Sequence, residues 1–288
     1  MSGQHRTDYG LRTTDYGLRN MLSTDLLRTA TDLPDHEVRR LLVAATGLHW
    51  TALILGTEVD AAEVDRFNGF VERRRSHEPL QYIEGTASFG PIEVAVDPRV
   101  LIPRPETEQL FEIARDAVEA PKVIVDLCTG SGNLAIALKA AFPSATVYAV
   151  DLSDDAVDVA RMNVRMAGLD VTVLRGDLFE PLPDNLAGRV DLVVSNPPYI
   201  AEQELDDLPA DVRDHEPVAA LIAGPVGDEV LARIAAAAPE WLVPGGIIVC
   251  EISEFHGAAV ATHFSSLGGE IRIDLSGKER FVIGVAPQ

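Results

Sequence analysis

After Pro105 the chain falls into a rhythm of short apolar runs separated by longer amphipathic ones. That rhythm restricts the fold more than any other feature of its 288 residues. Residues 123–127, 146–150, 171–174, 190–195 and 246–252 read as strands, and 134–141 and 154–167 as helices. Further helices open near Asp228 and Phe255, and the chain closes on strand-like residues 271–275 and 281–285. Strands alternating with helices of about 10–15 residues imply a parallel, doubly wound α/β sheet.

The preceding residues follow another period. Leu22, Leu26 and Leu27, then Val38, Leu41, Leu42 and Ala45, then Val64, Phe67 and Val71 recur at three and four. This is the stripe of a small helical bundle, with Asp35 and Asp60 as expected N-caps and Gly47 and Gly56 as expected stops. Residues 87–89, a turn at Gly90-Pro91, and alternating Ile92, Val94 and Val96 form a hairpin signal. The expected organisation is a helical partner-recognition domain at 21–84, a hairpin linker at 85–104 and an α/β domain at 105–288. Residues 1–20 carry a direct duplication, TDYGLR at 7–12 and 14–19. Two copies cannot build a repeat architecture, which needs at least about three stacking units, so this segment is expected to be a disordered tail.

The net charge is −21 and uneven. Residues 1–104 hold 12 Lys+Arg against 15 Asp+Glu, whereas 105–288 hold 12 against 30. Such a surface repels a phosphate backbone, so no direct nucleic-acid partner is expected. The run Arg73-Arg74-Arg75 reads as the solvated end of a helix. No apolar run approaches the roughly 18 residues a membrane helix needs, and the start lacks the apolar segment of a secretory signal. Cys128 and Cys250 are the two cysteines. They could pair, but a reducing cytoplasm is the simpler reading. No metal-ligand spacing stands out.

Three features line up in the α/β region. The first strand ends in Asp126-Leu127-Cys128-Thr129-Gly130-Ser131-Gly132-Asn133, and a helix follows at once. Glycines there allow a sharp turn and close backbone approach to a ligand. Asp151 ends the second strand, where a carboxylate can accept hydrogen bonds from ribose hydroxyls. Gly176-Asp177-Leu178 follows the third, where an adenine ring could rest on Leu178. The turn lacks full GxGxxG spacing, so the ligand need not carry phosphate.

The fourth strand ends in Ser195-Asn196-Pro197-Pro198-Tyr199. Ligands of open parallel sheets bind at the carboxyl ends of the strands, which sets this segment beside the glycine turn. The Asn196 side-chain oxygen and the Pro197 carbonyl can each take one hydrogen of an –NH2 group, and Tyr199 can stack on a flat amide. Pro197 and Pro198 fix the backbone and lack N–H donors. Amides are poor nucleophiles, so holding one in line with a methyl donor is most of the catalysis available. Hydrogen bonds that strengthen as the nitrogen becomes positive stabilise the transition state selectively.

Taken together, NPPY and the glycine turn resemble class I methyltransferases acting on planar nitrogens. The chain is similar within them to the HemK/PrmC family, which methylates the glutamine of the GGQ tripeptide in peptide chain release factors. The resemblance rests on Pro79-Leu80-Gln81-Tyr82-Ile83, Phe89-Gly90, the string Val100–Glu108 with its RPETE core, DLCTGSGN, AVDLS, GDL, VVSNPPYI, His215-Glu216-Pro217 and Pro244-Gly245-Gly246. It implies a Rossmann-like methyltransferase sheet behind a helical bundle, S-adenosylmethionine as cofactor, and a release factor as protein partner of a cytoplasmic, monomeric enzyme. Cys128, Thr129, Gly130, Ser131, Gly132, Asp151, Leu178 and Asn196 would contact the cofactor. Asn196, Pro197, Pro198 and Tyr199 would hold the substrate glutamine and form the catalytic set. Residues 220–228, Ser253 and Lys278-Glu279-Arg280 depart from the family pattern and bear on the partner. A paralogue methylating another amide or amine, an adenine-N6 DNA methyltransferase, and a non-catalytic cofactor-binding protein are the competing readings. The charge weighs against the second, and the retained NPPY against the third.

Overall fold

A computed structural model describes residues 20–288, which divide into two compact units between Glu84 and Gly85. Both TDYGLR copies lie outside the described residues.

The first unit is built on helices α1 (Asp35–Thr46) and α2 (Ala61–Arg75). The apolar stripe read from the sequence is its core: Val38, Leu41, Leu42, Ala45, Val64, Phe67 and Val71 are all buried together. Helix α2 starts with a capping box, in which Asp60 accepts the Glu63 N–H (2.8 Å) and Glu63 accepts the Asp60 N–H (2.9 Å). Asp35 does not cap its helix. Pro34 takes the N-cap position, and Asp35 sits in the first turn, where its charge still favours the helix dipole. Gly47 stops α1 in a left-handed conformation, φ 67°. Met21–Leu22, read as helical, instead pairs antiparallel with Glu58–Val59. The arginine run ends α2, and each member is paired with an acid: Arg73 with Glu78, Arg74 with Glu37, Arg75 with Asp32 and Glu72.

The second unit opens on a hairpin of β1 (Thr86–Phe89) and β2 (Ile92–Ala95), closed by Gly90-Pro91 with Gly90 at φ 51°. There follow α3 (Pro105–Asp116), β3 (Val123–Leu127), α4 (Asn133–Ala141), β4 (Thr146–Asp151), α5 (Asp154–Ala167), β5 (Val171–Arg175) and β6 (Val190–Ser195). Then come α6 (Glu229–Trp241), β7 (Leu242–Glu251), α7 (Gly257–His263), β8 (Glu270–Ile273) and β9 (Glu279–Val285). Seven strands form one sheet in the order β8-β9-β7-β6-β3-β4-β5. The five strands from β7 to β5 are parallel, while β9 and β8 run antiparallel. Two apolar layers pack on this sheet, one around Val125, Val193, Ile234 and Ile248, the other around Phe111, Ile124, Leu134 and Leu192. The hairpin belongs to this unit. Phe89 lies in the second layer, and Asn163 of α5 exchanges hydrogen bonds with the Ala95 backbone at 2.8 and 2.9 Å.

After β3 the chain lays β4 and β5 on one side, then crosses to place β6 and β7 on the other. The carboxyl ends of β3 and β6 therefore flank a topological switch point, where an open sheet leaves a crevice. Among the described residues no helix is long and apolar enough to cross a membrane.

Candidate active site

The glycine turn is locked from beneath. Asp126, fully buried in β3, accepts the Thr129 hydroxyl at 2.5 Å and the Ala135 N–H at 3.1 Å through Oδ2. The second bond caps the first turn of α4 from the neighbouring strand, where a carboxylate is favoured by the exposed N–H groups. Its Oδ1 is buried with no partner among the described residues, and burial pushes the carboxyl up to about 7. Cys128, Gly130 and Gly132 all adopt left-handed backbone, at φ 57°, 54° and 83°. At Gly132 an added Cβ would meet Ala160 only at ordinary contact distance, 3.4 Å, so it is the left-handed backbone at the start of α4 that favours glycine there. Cys128 and Leu178 (φ 50°) hold this conformation without being glycine, a strain that concentrates at functional sites.

Asp151 ties the turn to the second strand. Its Oδ2 accepts the Gly130 N–H and its Oδ1 the Ser153 N–H, both at 2.9 Å. Burial holds this carboxyl above its ordinary range, against the pull of those donors. Each oxygen keeps a lone pair for a further donor. From the third strand end, Leu178 is buried at the cleft wall, while Asp177 pairs with Arg233 of α6 at 2.6 Å.

The fourth strand end is fixed through a polar chain. Ser195 donates to the Leu127 carbonyl at 2.8 Å, joining β6 to β3. Asn196 Nδ2 donates to the Thr107 hydroxyl at 3.0 Å, and Thr107 donates to Glu251 Oε2 at 2.8 Å. Tyr199 donates its hydroxyl to Glu251 Oε1 at 3.1 Å. Burial pushes Glu251 up to about 7, and burial beside Glu251 pushes the Tyr199 hydroxyl up as well.

One cleft at the carboxyl ends of the strands gathers Cys128, Thr129, Gly130, Ser131, Asp151, Leu178, Asn196 and Pro198. Gly132, Pro197 and Tyr199 do not line it: Gly132 serves the helix start, and Tyr199 is held on Glu251. Pro197 lies between the lining residues Asn196 and Pro198, so only its backbone carbonyl is a candidate for the substrate. Sequence reasoning assigned no role to Thr107, Ala219, Val230 or Arg233, all of which line the cleft, and Ala220, expected to bear on the partner, lines it too. Two motif strings meet here: Arg104 donates to both oxygens of Glu216 at 2.7 Å. Burial pushes Glu216 up to about 7 despite the arginine. The 220–228 segment runs against the NPPY segment, with Ile222–Gly224 pairing parallel to Ile200–Ala201. Gly227 is required there, because a Cβ would lie 3.0 Å from the Tyr199 carbonyl oxygen.

A strand-end carboxylate with spare lone pairs, an apolar wall at Leu178 and Val150, and a glycine turn suit a nucleoside without phosphate. The sheet order and this cleft define a Rossmann-like, S-adenosylmethionine-dependent methyltransferase. The sequence matches the Methyltransferase small domain over residues 107–211 and the PrmC N-terminal domain over 22–85. The release factor glutamine methyltransferase of Deinococcus radiodurans is 38% identical over 275 residues, 92% of this chain and 97% of that one. Its counterpart in Mycolicibacterium smegmatis is 42% identical over 258 residues, 86% and 89% of the two chains. The chain belongs to the release factor glutamine methyltransferase family. Among solved structures, a methyltransferase from Pyrococcus furiosus shares the fold at a TM-score of 0.52 and 17% identity, covering 70% of this chain and 92% of that one.

Proposed function

We propose that this chain transfers a methyl group from S-adenosylmethionine to the side-chain amide nitrogen of the GGQ glutamine of a peptide chain release factor. The observation that carries the reading is Asn196: its Nδ2 is committed to Thr107, which leaves Oδ1 as an acceptor on a side chain that lines the cleft. S-adenosylmethionine supplies an electrophilic methyl group on a sulfonium. Asn196 Oδ1 and the Pro197 carbonyl take the two amide hydrogens of the glutamine and orient its nitrogen. These bonds tighten as the nitrogen gains positive charge, so they favour the transition state over the bound amide. Asp151 holds the ribose hydroxyls through its spare lone pairs, and Leu178 supports the adenine. No base is assigned within the cleft; the proton lost by the nitrogen passes to solvent after transfer.

Similarity to curated relatives named for this activity supports the partner. The pairing of Arg73, Arg74 and Arg75 with acids, in a chain of net charge −21, argues against a nucleic-acid substrate. The same reading makes the enzyme cytoplasmic and active as a monomer.

The test is methyl transfer from labelled S-adenosylmethionine to a purified release factor and to the same factor with its GGQ glutamine replaced. Label on the intact factor alone is expected. Equal label on both would move the target elsewhere, and no label on either would refute the substrate.

A further inference from the structure

Asn196 is useful only one way round. Its oxygen and nitrogen are nearly the same size, so an amide flipped about its Cβ–Cγ axis fits the same space and presents N–H groups to the substrate. An –NH2 substrate would then meet donors where it needs an acceptor. Something must set the amide's direction.

The polar chain behind the cleft does so by counting protons. The Glu251 carboxylate is fully buried at the end of β7 and accepts from two hydroxyls, Thr107 at 2.8 Å and Tyr199 at 3.1 Å. A threonine hydroxyl has one hydrogen and two lone pairs. With Glu251 ionised and that hydrogen spent on it, Thr107 can only accept from Asn196, and the atom facing it at 3.0 Å must be the NH2 group. Asn196 Oδ1 is thereby turned away from Thr107. Thr107 is 2% exposed, so no bulk water competes for its hydrogen. It stands in the first turn of α3, within the RPETE string, two residues after Pro105 starts the helix. Thr107 and Glu251 thus both stand on regular elements, a helix and a strand, rather than on loops.

We infer that Thr107 and Glu251 are positioning residues: Glu251 polarises the Thr107 hydroxyl, which fixes the Asn196 amide with its oxygen toward the substrate nitrogen. Glu251 also holds Tyr199 through Oε1, so one carboxylate orients two members of the NPPY segment. The inference rests on the methyl-transfer reading above and adds how the acceptor geometry is set.

The test compares Thr107→Val, nearly the same shape without the hydroxyl, with Thr107→Ser, which restores it. Cofactor affinity is measured by calorimetry, and kcat and KM are measured on whichever acceptor the wild type labels. Thr107→Val is expected to lose about 10- to 100-fold in kcat, the scale of a misplaced catalytic group. Its cofactor affinity should stay within about threefold, while Thr107→Ser returns kcat to within about threefold of wild type. If Thr107→Val does not fold, Thr107→Ala against Thr107→Ser isolates the hydroxyl, since both lack the methyl group. A kcat that the hydroxyl does not affect, or a loss shared by the serine variant, overturns the inference. Failure of the wild type to label a release factor would instead count against the substrate, and leaves the comparison readable on another acceptor.

Discussion

Asp151 and Gly130 are joined by a 2.9 Å hydrogen bond from the glycine N–H to the strand-end carboxylate, so the proposed ribose-binding group also shapes the turn beside it. Asp151→Ala removes both functions at once. A hydrogen bond to a charged group contributes about 1.5–3 kcal/mol. The expected result is a 10- to 100-fold weaker affinity for S-adenosylmethionine, with kcat at saturating cofactor within about threefold. Equilibrium binding by calorimetry checks this, and unchanged affinity would remove Asp151 from the cofactor site.

Much of this was legible in the sequence, for physical reasons that particular residues show. The strands at Val123–Leu127 and Val190–Ser195 are short, mostly apolar runs, and their observed bounds match the expected ones to the residue. Asp151 and Asn196 were legible because a parallel sheet collects its strand ends at one crevice. Strand β7 begins at Leu242, earlier than read, because its ladder is interrupted. Leu242 pairs with Val190 and Ile247 with Leu192, with Pro244 and Gly245 in the irregular stretch between. The two-residue strands at Met21–Leu22 and Glu58–Val59 are too short to show any period. Glu251 was hidden for another reason. Its partner Thr107 is 144 residues away, and only the folded sheet brings them together.

Three buried acids set an unusual pH dependence. Burial raises Asp126, Glu216 and Glu251 to about 7, from ordinary values of 3.8, 4.5 and 4.5. The folded state therefore holds protons that the unfolded state releases between about pH 4 and 7, so stability falls as pH rises through that window. Each group contributes on the order of 3–4 kcal/mol across the whole window. Asp32 and Asp274, held down near 2 by hydrogen bonds, titrate below the window and do not offset it. Melting temperature is expected to drop between about pH 5 and 7.5, and Glu251→Gln to show a shallower slope. A rise across that range would contradict the assignment.

The first unit offers an independent check. Helix α2 depends on the reciprocal bonds between Asp60 and Glu63 at its start. Asp60→Ala is expected to cost about 1 kcal/mol. Urea unfolding should show a lower midpoint with an unchanged slope. No change in midpoint would mean that solvent satisfies those N–H groups equally well.

In the proposed mechanism Asn196 acts on the substrate amide and the rest of the cleft holds the cofactor. Asn196→Ala separates the two, with turnover on a release factor measured beside S-adenosylmethionine binding on the same preparation. The expected result is a kcat lower by about 10²–10³, the scale of losing one oriented transition-state contact, with cofactor affinity within about tenfold of wild type. Turnover near the wild-type rate would contradict the account directly.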